Sequence, residues 1–149
     1  MAVTHKKSEL YVKELHLGEH DLEDHDLVVV LLDNTFPGFD PAAHSIYTDI
    51  SEWELATGGG YTELDKSITT VSVDIVDNKA LVTGDNVSWT ATEGGIPETV
   101  AAAIINNTHA NKTVISCIEF GAGYTTADGT VFQINFENGI ALGTPNPVI

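Results

Sequence analysis

Short apolar segments, each followed by turn residues, recur along most of this chain and constrain it to a β-rich fold. Residues 27–32 are apolar throughout, which fits a strand covered on both faces. Apolar and polar residues alternate at 68–75, 87–91 and 130–136, the pattern of strands with one buried face. Strands spaced by about 8–12 residues are typical of a sandwich or a barrel. We therefore predict a mostly β fold, a compact antiparallel β-sandwich or barrel with a short N-terminal helical arm.

Turn dipeptides predict where these segments pair as hairpins. Asp77-Asn78 precedes a returning strand at 79–82. Asn138-Gly139 is the strongest hairpin signal in the chain, and residues 140–142 would form the last strand. These turns place neighbouring segments in antiparallel register.

Other segments are less sharply defined by pattern. Residues 100–105 fit strand or helix, but the polar flank at 106–111 and the apolar segment at 113–120 favour a strand pair. Residues 42–49 could form one helical turn, and 52–56 a short strand. The apolar faces of the strands predict a core that includes Val30, Val73, Trp89, Ile118, Phe132 and Ile134.

The composition shifts near Asp26, so we predict an arm at 1–25 and a β-domain at 26–149. Residues 8–17 predict a short helix that begins after Ser8, although a strand is also compatible with the pattern. Gly18 would end the helix. A helix of this length is marginal in water, so it must pack on its own sheet or on a neighbouring subunit, and we favour the neighbour. The predicted interface residues are Leu10, Tyr11, Val12, Leu15 and Leu17.

The charge balance excludes two classes of partner. The 149 residues include 22 acidic residues and six lysines but no arginine, and the formal net charge is −16. Arginine is the preferred reader of phosphates and base edges, so nucleic-acid binding is not expected. Anionic membrane surfaces are excluded by the same repulsion.

Neither a membrane segment nor a disulfide is expected. The longest apolar runs, at 27–32 and 100–105, fall far short of the ~20 residues needed to cross a bilayer. Residues 1–17 lack the apolar core of a signal peptide, so we expect a soluble protein made in the cytoplasm. Cys117 is the single cysteine and lies in an apolar strand pattern, which predicts a buried, unreactive thiol.

One stretch has the residue types of a metal site. His16, His20 and His25 lie among acidic residues, and the first two are four residues apart. However, Gly18 interrupts the helix between them, and the chain contains no His-Glu-x-x-His motif. We therefore favour a solvated acidic loop, with weak zinc or nickel binding as the alternative.

The remaining motifs do not predict catalysis. There is no Gly-x-Ser-x-Gly sequence, and His44 and His109 are predicted in loops. The glycines at 58–60 are not followed by the Lys-Ser/Thr of a phosphate loop, so they favour a structural turn, with positive φ or close approach of another segment. Trp53 and Trp89 could form a sugar-stacking platform, although core packing is favoured for Trp89. We predict no catalytic residue and no cofactor.

A series of spaced landmarks runs from Asp26 to Leu142. After the apolar strand they read Asp49-Ile50-Ser51, Glu54-Leu55, Gly58-Gly59-Gly60-Tyr61, Asp85-Asn86-Val87-Ser88-Trp89, Ile118-Glu119-Phe120-Gly121, Phe132-Gln133-Ile134-Asn135-Phe136 and Gly139-Ile140. In order and spacing the chain resembles a family of small structural proteins of tailed-phage virions. The resemblance covers about four fifths of the chain.

The resemblance implies a β-rich virion component without catalytic residues. Its leading reading is a head-decoration, or cement, protein that binds outside the capsid shell, with the major capsid protein as partner. Self-association as a homo-oligomer is implied, with a trimer favoured, and localisation in the virion after synthesis in the host cytoplasm. The alternatives are a tail, neck or fibre component, a carbohydrate-binding module, and a small hydrolase.

Overall fold

The computed structural model describes residues 3–136, which form a mostly β protein with antiparallel sheets, as predicted. In chain order the elements are β1 (Thr4–Lys7), α1 (Glu9–His16), β2 (Leu27–Asp33), α2 (Tyr47–Ile50), a 3-10 turn (Ser51–Trp53), β3 (Lys66–Ser67), β4 (Ser72–Val76), β5 (Lys79–Thr83), β6 (Val87–Thr90), β7 (Ile96–Asn106), β8 (Val114–Thr126) and β9 (Val131–Ile134). The predicted hairpin at Asn138-Gly139 and the strand at 140–142 lie outside the described residues.

A five-stranded antiparallel sheet forms the centre of the fold, in the order β1-β8-β7-β2-β3. The ambiguous segment at 100–105 is a strand within β7, and it pairs with both β2 and β8. Strand β2 is buried along residues 27–32, as its unbroken apolar sequence predicts. Alternate side chains of β2 point to opposite faces, so this strand contributes to two separate cores.

The two cores lie on opposite faces of the central sheet. On one face, Leu31 packs in a cluster with Trp89 of β6 and Val82 of β5. Strands β6 and β9 form one two-stranded sheet, and β4 and β5 form another. On the other face, Val30 packs in a cluster with Ile50 at the end of α2. The described sheets are open, and their arrangement matches a sandwich rather than a closed barrel.

The predicted core is confirmed for Val30, Trp89 and Ile118, which are all buried. Phe132 and Ile134 are partly buried and pack against the first core. Val73 is wrong as a core residue, because it is 39% exposed on β4. Its alternating apolar pattern is that of a strand, but β4 and β5 form a two-stranded sheet separate from the central sheet, and Val73 lies on its exposed side.

The helix α1 begins as predicted and packs on its own sheet. The Ser8 hydroxyl oxygen accepts a hydrogen bond from the backbone N–H of Tyr11 at 3.0 Å, which caps the first turn. The Ser8 hydroxyl donates to the backbone oxygen of Val114 at 2.5 Å. Gly18 follows the helix with a positive φ of 75°.

This packing is the alternative that the sequence pattern left open, and contact of the helix with a neighbouring subunit stays a prediction. Strand β1 pairs with β8, so the helix that follows is directed onto the sheet. Tyr11 is fully buried in the first core, and Val12 and Leu15 pack partly against it, while Leu10 is half-buried. The described part of the predicted arm at 1–25 therefore belongs to the same sheet and core as the β-domain. An interface through Leu17, which is 63% exposed, stays a prediction.

The segment between β2 and β3 differs from its prediction in one place. The helical turn expected within 42–49 is α2, slightly later in the chain. The strand predicted at 52–56 is instead the 3-10 turn, followed by a single bridge between Leu32 and Glu54.

Candidate functional site

Two of the spaced landmarks meet around a buried glutamate. Glu54 accepts hydrogen bonds from the hydroxyls of Tyr47 and Tyr61, the latter at 2.5 Å, and from the backbone N–H of Leu64 at 3.0 Å. Burial raises the pKa of both tyrosines, and Glu54 raises it further. The Tyr61 hydroxyl also accepts the backbone N–H of Leu31 at 3.1 Å. This cluster ties the glycine-rich segment to β2 and has no free acid or base.

The glycines at 58–60 allow another chain segment to approach closely, as predicted. Gly59 and Gly60 have φ values of 61° and 97°. A Cβ atom on Gly59 would lie 2.1 Å from the backbone oxygen of Gly95, and one on Gly60 would lie 2.1 Å from that of Thr90. The glycine cluster therefore packs directly against the backbone at the end of β6 and in the loop that follows, where a side chain would clash.

Other landmark side chains also hold the backbone. Asp49 accepts the backbone N–H of Ser45 at 2.9 Å. Asn86 accepts the backbone N–H of Phe136 at 2.9 Å. Glu119 accepts the backbone N–H of Phe39 at 2.9 Å and lies 3.4 Å from the ammonium of Lys6. Asp49, Asn86 and Glu119 therefore hold backbone segments in place, which is a structural role.

The three metal candidates occupy different environments. His16 is exposed at the end of α1, with its Nδ1 2.8 Å from the backbone oxygen of Val12. His20 is buried, and His25 is half-buried. The predicted solvated loop is therefore wrong at His20, because the loop folds that ring against α1 and the β7–β8 connection.

His20 meets residues from two other parts of the chain. Its Nε2 lies 3.0 Å from Oε1 of Glu14, which also accepts the Thr113 hydroxyl at 2.7 Å. The ring stacks on His109 with centroids 5.1 Å apart. The Nε2 of His109 lies 3.3 Å from Glu19 and 3.6 Å from Glu14. Glu14, His20 and His109 thus bring together ligand types that suit a divalent metal, within 4.8 Å of one another.

Hydrogen bonds to Nδ1 of the imidazoles determine which ring nitrogen carries the proton. Oδ1 of Asn106 accepts the backbone N–H groups of Thr108 and His109, which orients its amide. Its Nδ2 therefore donates to Nδ1 of both His20 and His25, each at 2.9 Å.

The same constraint applies to His109, whose Nδ1 accepts the backbone N–H of Asn111 at 3.2 Å. A neutral imidazole with Nδ1 as acceptor carries its proton on Nε2. His20 and His109 therefore present protons, not lone pairs, toward Glu14. A metal ligand needs the opposite tautomer, so this geometry favours a satisfied polar network over a metal centre. We call Glu14, His20, His25, Asn106, His109 and Thr113 the histidine network.

Burial keeps His20 neutral in this network. Desolvation lowers the pKa of His20, and the hydrogen bond and charge of Glu14 oppose that effect in part. The charges of His109 and His25 lower the pKa further. The contact of His20 with Asn106 was not predictable from local pattern, since the two residues are 86 positions apart in the chain.

The other candidates for chemistry are covered. Cys117 is buried as predicted, and burial, with Glu119 in second place, raises the pKa of its thiol. Trp89 is 1% exposed, which confirms core packing. Trp53 is half-buried and makes T-shaped contacts with Phe36 and His44, whereas the buried Trp89 offers no open face to a sugar.

An open groove of about 430 Å³ lies between β1, β8 and β9. Phe120, Tyr124 and Phe132 line it, and so does His5. Among residues 3–136, Nδ1 of His5 is a buried ring nitrogen without a hydrogen-bond partner, and burial lowers the pKa of that ring. This groove is mostly apolar and brings no second acid or base to His5.

Within residues 3–136, the β4–β5 hairpin carries the most exposed large apolar side chain. Ile75 is 76% exposed, and Val76 and Val73 are also exposed. At the base of the hairpin, the Val73 backbone N–H donates to Glu23 at 3.0 Å, and Val82 is buried in the first core. The hairpin is thus anchored at one end and presents β-branched side chains to solvent at the other.

Comparisons with family models, with curated proteins and with solved structures give no match to this chain. In the described part of the chain, the helices are too short and too polar to cross a membrane.

Proposed function

We propose that this protein is a non-enzymatic structural subunit of a tailed-phage virion, and specifically a head-decoration protein bound outside the capsid shell. The resemblance of the spaced landmarks is the source of this assignment. The observation that carries it in the structure is the β4–β5 hairpin, because an anchored, solvent-exposed apolar element suits a contact surface.

The landmark residues support a structural role rather than a catalytic one. Glu54, Asp49 and Asn86 are engaged by hydrogen bonds that hold turns and strand ends. In the described part of the chain, His20 and His109 present protons toward Glu14 and face no serine or cysteine nucleophile. An enzyme would need at least one activated side chain that is free to contact a substrate in an accessible cleft.

The net charge supports a role on a surface among other proteins. At −16, copies of this chain repel one another at long range, so subunits meet through apolar or hydrogen-bonded patches with acids at the rim. We propose a closed homo-oligomer, with a trimer favoured by analogy with proteins that sit on local three-fold axes. The partner on the shell is the major capsid protein.

The decisive experiment is composition and imaging of purified particles. We expect the protein in stoichiometric ratio to the capsid protein, and density for it on the outer shell in a reconstruction. Density in the tail, neck or fibres at low copy number would support the alternative virion role. Absence from purified particles would refute the proposal.

Self-association offers a second test with the isolated protein. Light scattering should report stronger association as salt rises from low to physiological concentration, because screening relieves the repulsion between acidic subunits. Association that weakens with salt would indicate ion pairs through the six lysines and would contradict the apolar interface.

A further inference from the structure

The backbone of β4 has one edge that no described strand covers. Among residues 3–136, β4 pairs only with β5, in a two-stranded sheet. Asp77 and Asn78 form a two-residue turn with φ values of 51° and 64°, so the flanking residues Val76 and Lys79 form the first hydrogen-bonded pair. Pairs in an antiparallel ladder alternate, so Val73 and Ile75 direct their N–H and C=O groups away from β5.

A hydrogen bond outside the ladder agrees with this assignment. The N–H of Val73 donates to the carboxylate of Glu23, which lies on the loop after α1. Glu23 therefore caps the first outward-facing N–H of the edge. Further along, Ile75 carries the next outward N–H and C=O, together with the most exposed large apolar side chain among residues 3–136. Exposed edges with β-branched side chains are templates for another strand.

We propose that the outer edge of β4 binds an extended basic and apolar segment of a partner protein by strand addition. The segment pairs with the backbone of Ile75, packs an apolar side chain beside it, and brings lysine or arginine to Asp74, Asp77 and Glu23. Backbone hydrogen bonds supply the affinity in this mode, and alternate side chains supply the specificity. The inference deepens the proposed function, because that partner is the shell protein.

Charge selects the partner over a second copy of this chain. Asp74 lies at the centre of β4, and Asp77 lies at its end, both exposed. Two β4 edges joined to each other would bring these carboxylates close together across the new pair, and each copy has a net charge of −16. A segment with lysine or arginine at alternate positions meets the same acids favourably.

The direct test is an NMR titration with synthetic peptides. The probe is a nine-residue peptide of alternating lysine and valine, and the matched peptide replaces each lysine by glutamate. We expect the lysine peptide to shift the backbone amides of Ile75 and Val76, with affinity that falls as salt is added. The proposal is overturned by an unshifted Ile75 amide at millimolar peptide, or by equal binding of the glutamate peptide.

Two proline variants separate the β4 edge from the hairpin as a whole. Ile75→Pro removes the outward N–H without removing a bond to β5, and we expect about ten-fold weaker binding of the lysine peptide. Ala80→Pro is the control, since Ala80 is paired with Ile75 and its N–H points away from β4. Ala80→Pro should leave the affinity nearly unchanged. Both variants are checked for an unchanged fold by circular dichroism.

Incorporation into particles distinguishes this inference from the function on which it rests. If wild-type protein and the Ala80→Pro variant join the shell and Ile75→Pro does not, both are supported. If Ile75→Pro joins the shell equally well, the edge proposal fails and the virion assignment stands. If the isolated wild-type protein self-associates and only Ile75→Pro is monomeric, a second copy is the occupant and the basic partner is refuted.

Discussion

Polar, titratable side chains are usually expected at a binding surface and apolar ones in the core, but the histidine network and the β4–β5 hairpin show the reverse. The network holds the residue types of a metal or catalytic site, yet His20 and Glu14 are buried. The hairpin holds ordinary core residues, yet Ile75 is largely exposed. Residue type alone therefore does not locate a site. What matters is whether hydrogen-bonding groups and apolar surface remain available to another molecule. The hairpin has such groups, whereas the polar groups of the network are hydrogen-bonded within the protein.

The physical difference lies in what each region borders. The network lies where α1, the acidic loop and the β7–β8 connection converge, so Glu14, His20 and Asn106 find hydrogen-bond partners within the protein. The hairpin is joined to the core at Val82 and has no described neighbour beyond Ile75 on its outer edge. The first arrangement stabilises the fold, and the second leaves surface for another molecule.

The largest change in unfolding free energy is expected in the core, and it gives a scale for the changes in both regions. Trp89→Ala should reduce the free energy of unfolding by about 3–5 kcal/mol, because the ring is buried in the first core and its loss leaves a cavity. Denaturant unfolding measures this. A loss below about 1 kcal/mol would mean that the ring is solvated in solution, and would reopen the sugar-platform reading.

The histidine network should respond next most strongly. Asn106→Ala removes the acceptor for two backbone N–H groups and the donor for His20 and His25. We expect a loss of about 1–3 kcal/mol in unfolding free energy, the cost of buried groups left unsatisfied. Substitution of the exposed Asn111 by Ala is the control, because its side chain is not part of the network. Equal stability of the two variants would show that the network does not contribute to folding.

The tautomer argument has its own test at the same residue. Asn106→Asp replaces the donor that faces Nδ1 of His20 by an acceptor, which favours a proton on Nδ1 and a lone pair on Nε2. Calorimetric titration with zinc should therefore detect stoichiometric binding in Asn106→Asp and not in the wild-type protein. Tight binding by the wild-type protein, lost in Glu14→Gln, would contradict our reading of the network.

Lowering the pH should reduce the free energy of unfolding, and His20 should contribute to that loss. Its pKa is lowered in the folded state, so below the unfolded value of about 6.5 the unfolded chain binds more protons. The resulting contribution to stability is present above that pH and is lost as pH falls toward the folded value. The groups that face His20 are Glu14 and Tyr11 on α1, His25 on the acidic loop, and His109 with Asn106 at the β7–β8 connection.

Urea unfolding between about pH 7.5 and about pH 5.5 measures this dependence. The unfolding free energy of His20→Asn should fall less steeply with decreasing pH than that of the wild-type protein, since the remaining titratable groups are the same in both. His16→Asn is the control, because His16 is exposed and lies outside the network. An identical decline in wild type and His20→Asn would exclude His20 as the source.

The smallest effect on stability is expected at the hairpin. Ile75→Thr should change the unfolding free energy by less than about 0.5 kcal/mol, because the side chain is mostly in solvent in both variants. The same change should weaken partner binding, since it removes the exposed apolar contact. A stability loss comparable to that of Asn106→Ala would show that the hairpin is covered, and the comparison between the two regions would fail.

Local pattern by itself determined much of this protein. The period-two alternation and the turn dipeptide Asp77-Asn78 defined strands, because strand side chains alternate and positive φ at two residues makes a hairpin turn. Ser8 marked the start of α1, and the apolar run at 27–32 marked a strand covered on both faces. The glycines at 58–60 signalled a close approach of chain segments. These features depend on neighbours in the sequence, so the sequence carries them directly.

Tertiary structure alone decided which segments meet. Glu14 and Thr113 are separated by 99 positions, and nothing in either local sequence indicates the other, so the histidine network was not predictable. The pairing of β1 with β8 placed α1 on its own sheet, and Val73 lies exposed on a separate two-stranded sheet. Burial depends on which distant parts of the chain pack against a segment. The apolar pattern of β4 is the same whether another strand or solvent covers it.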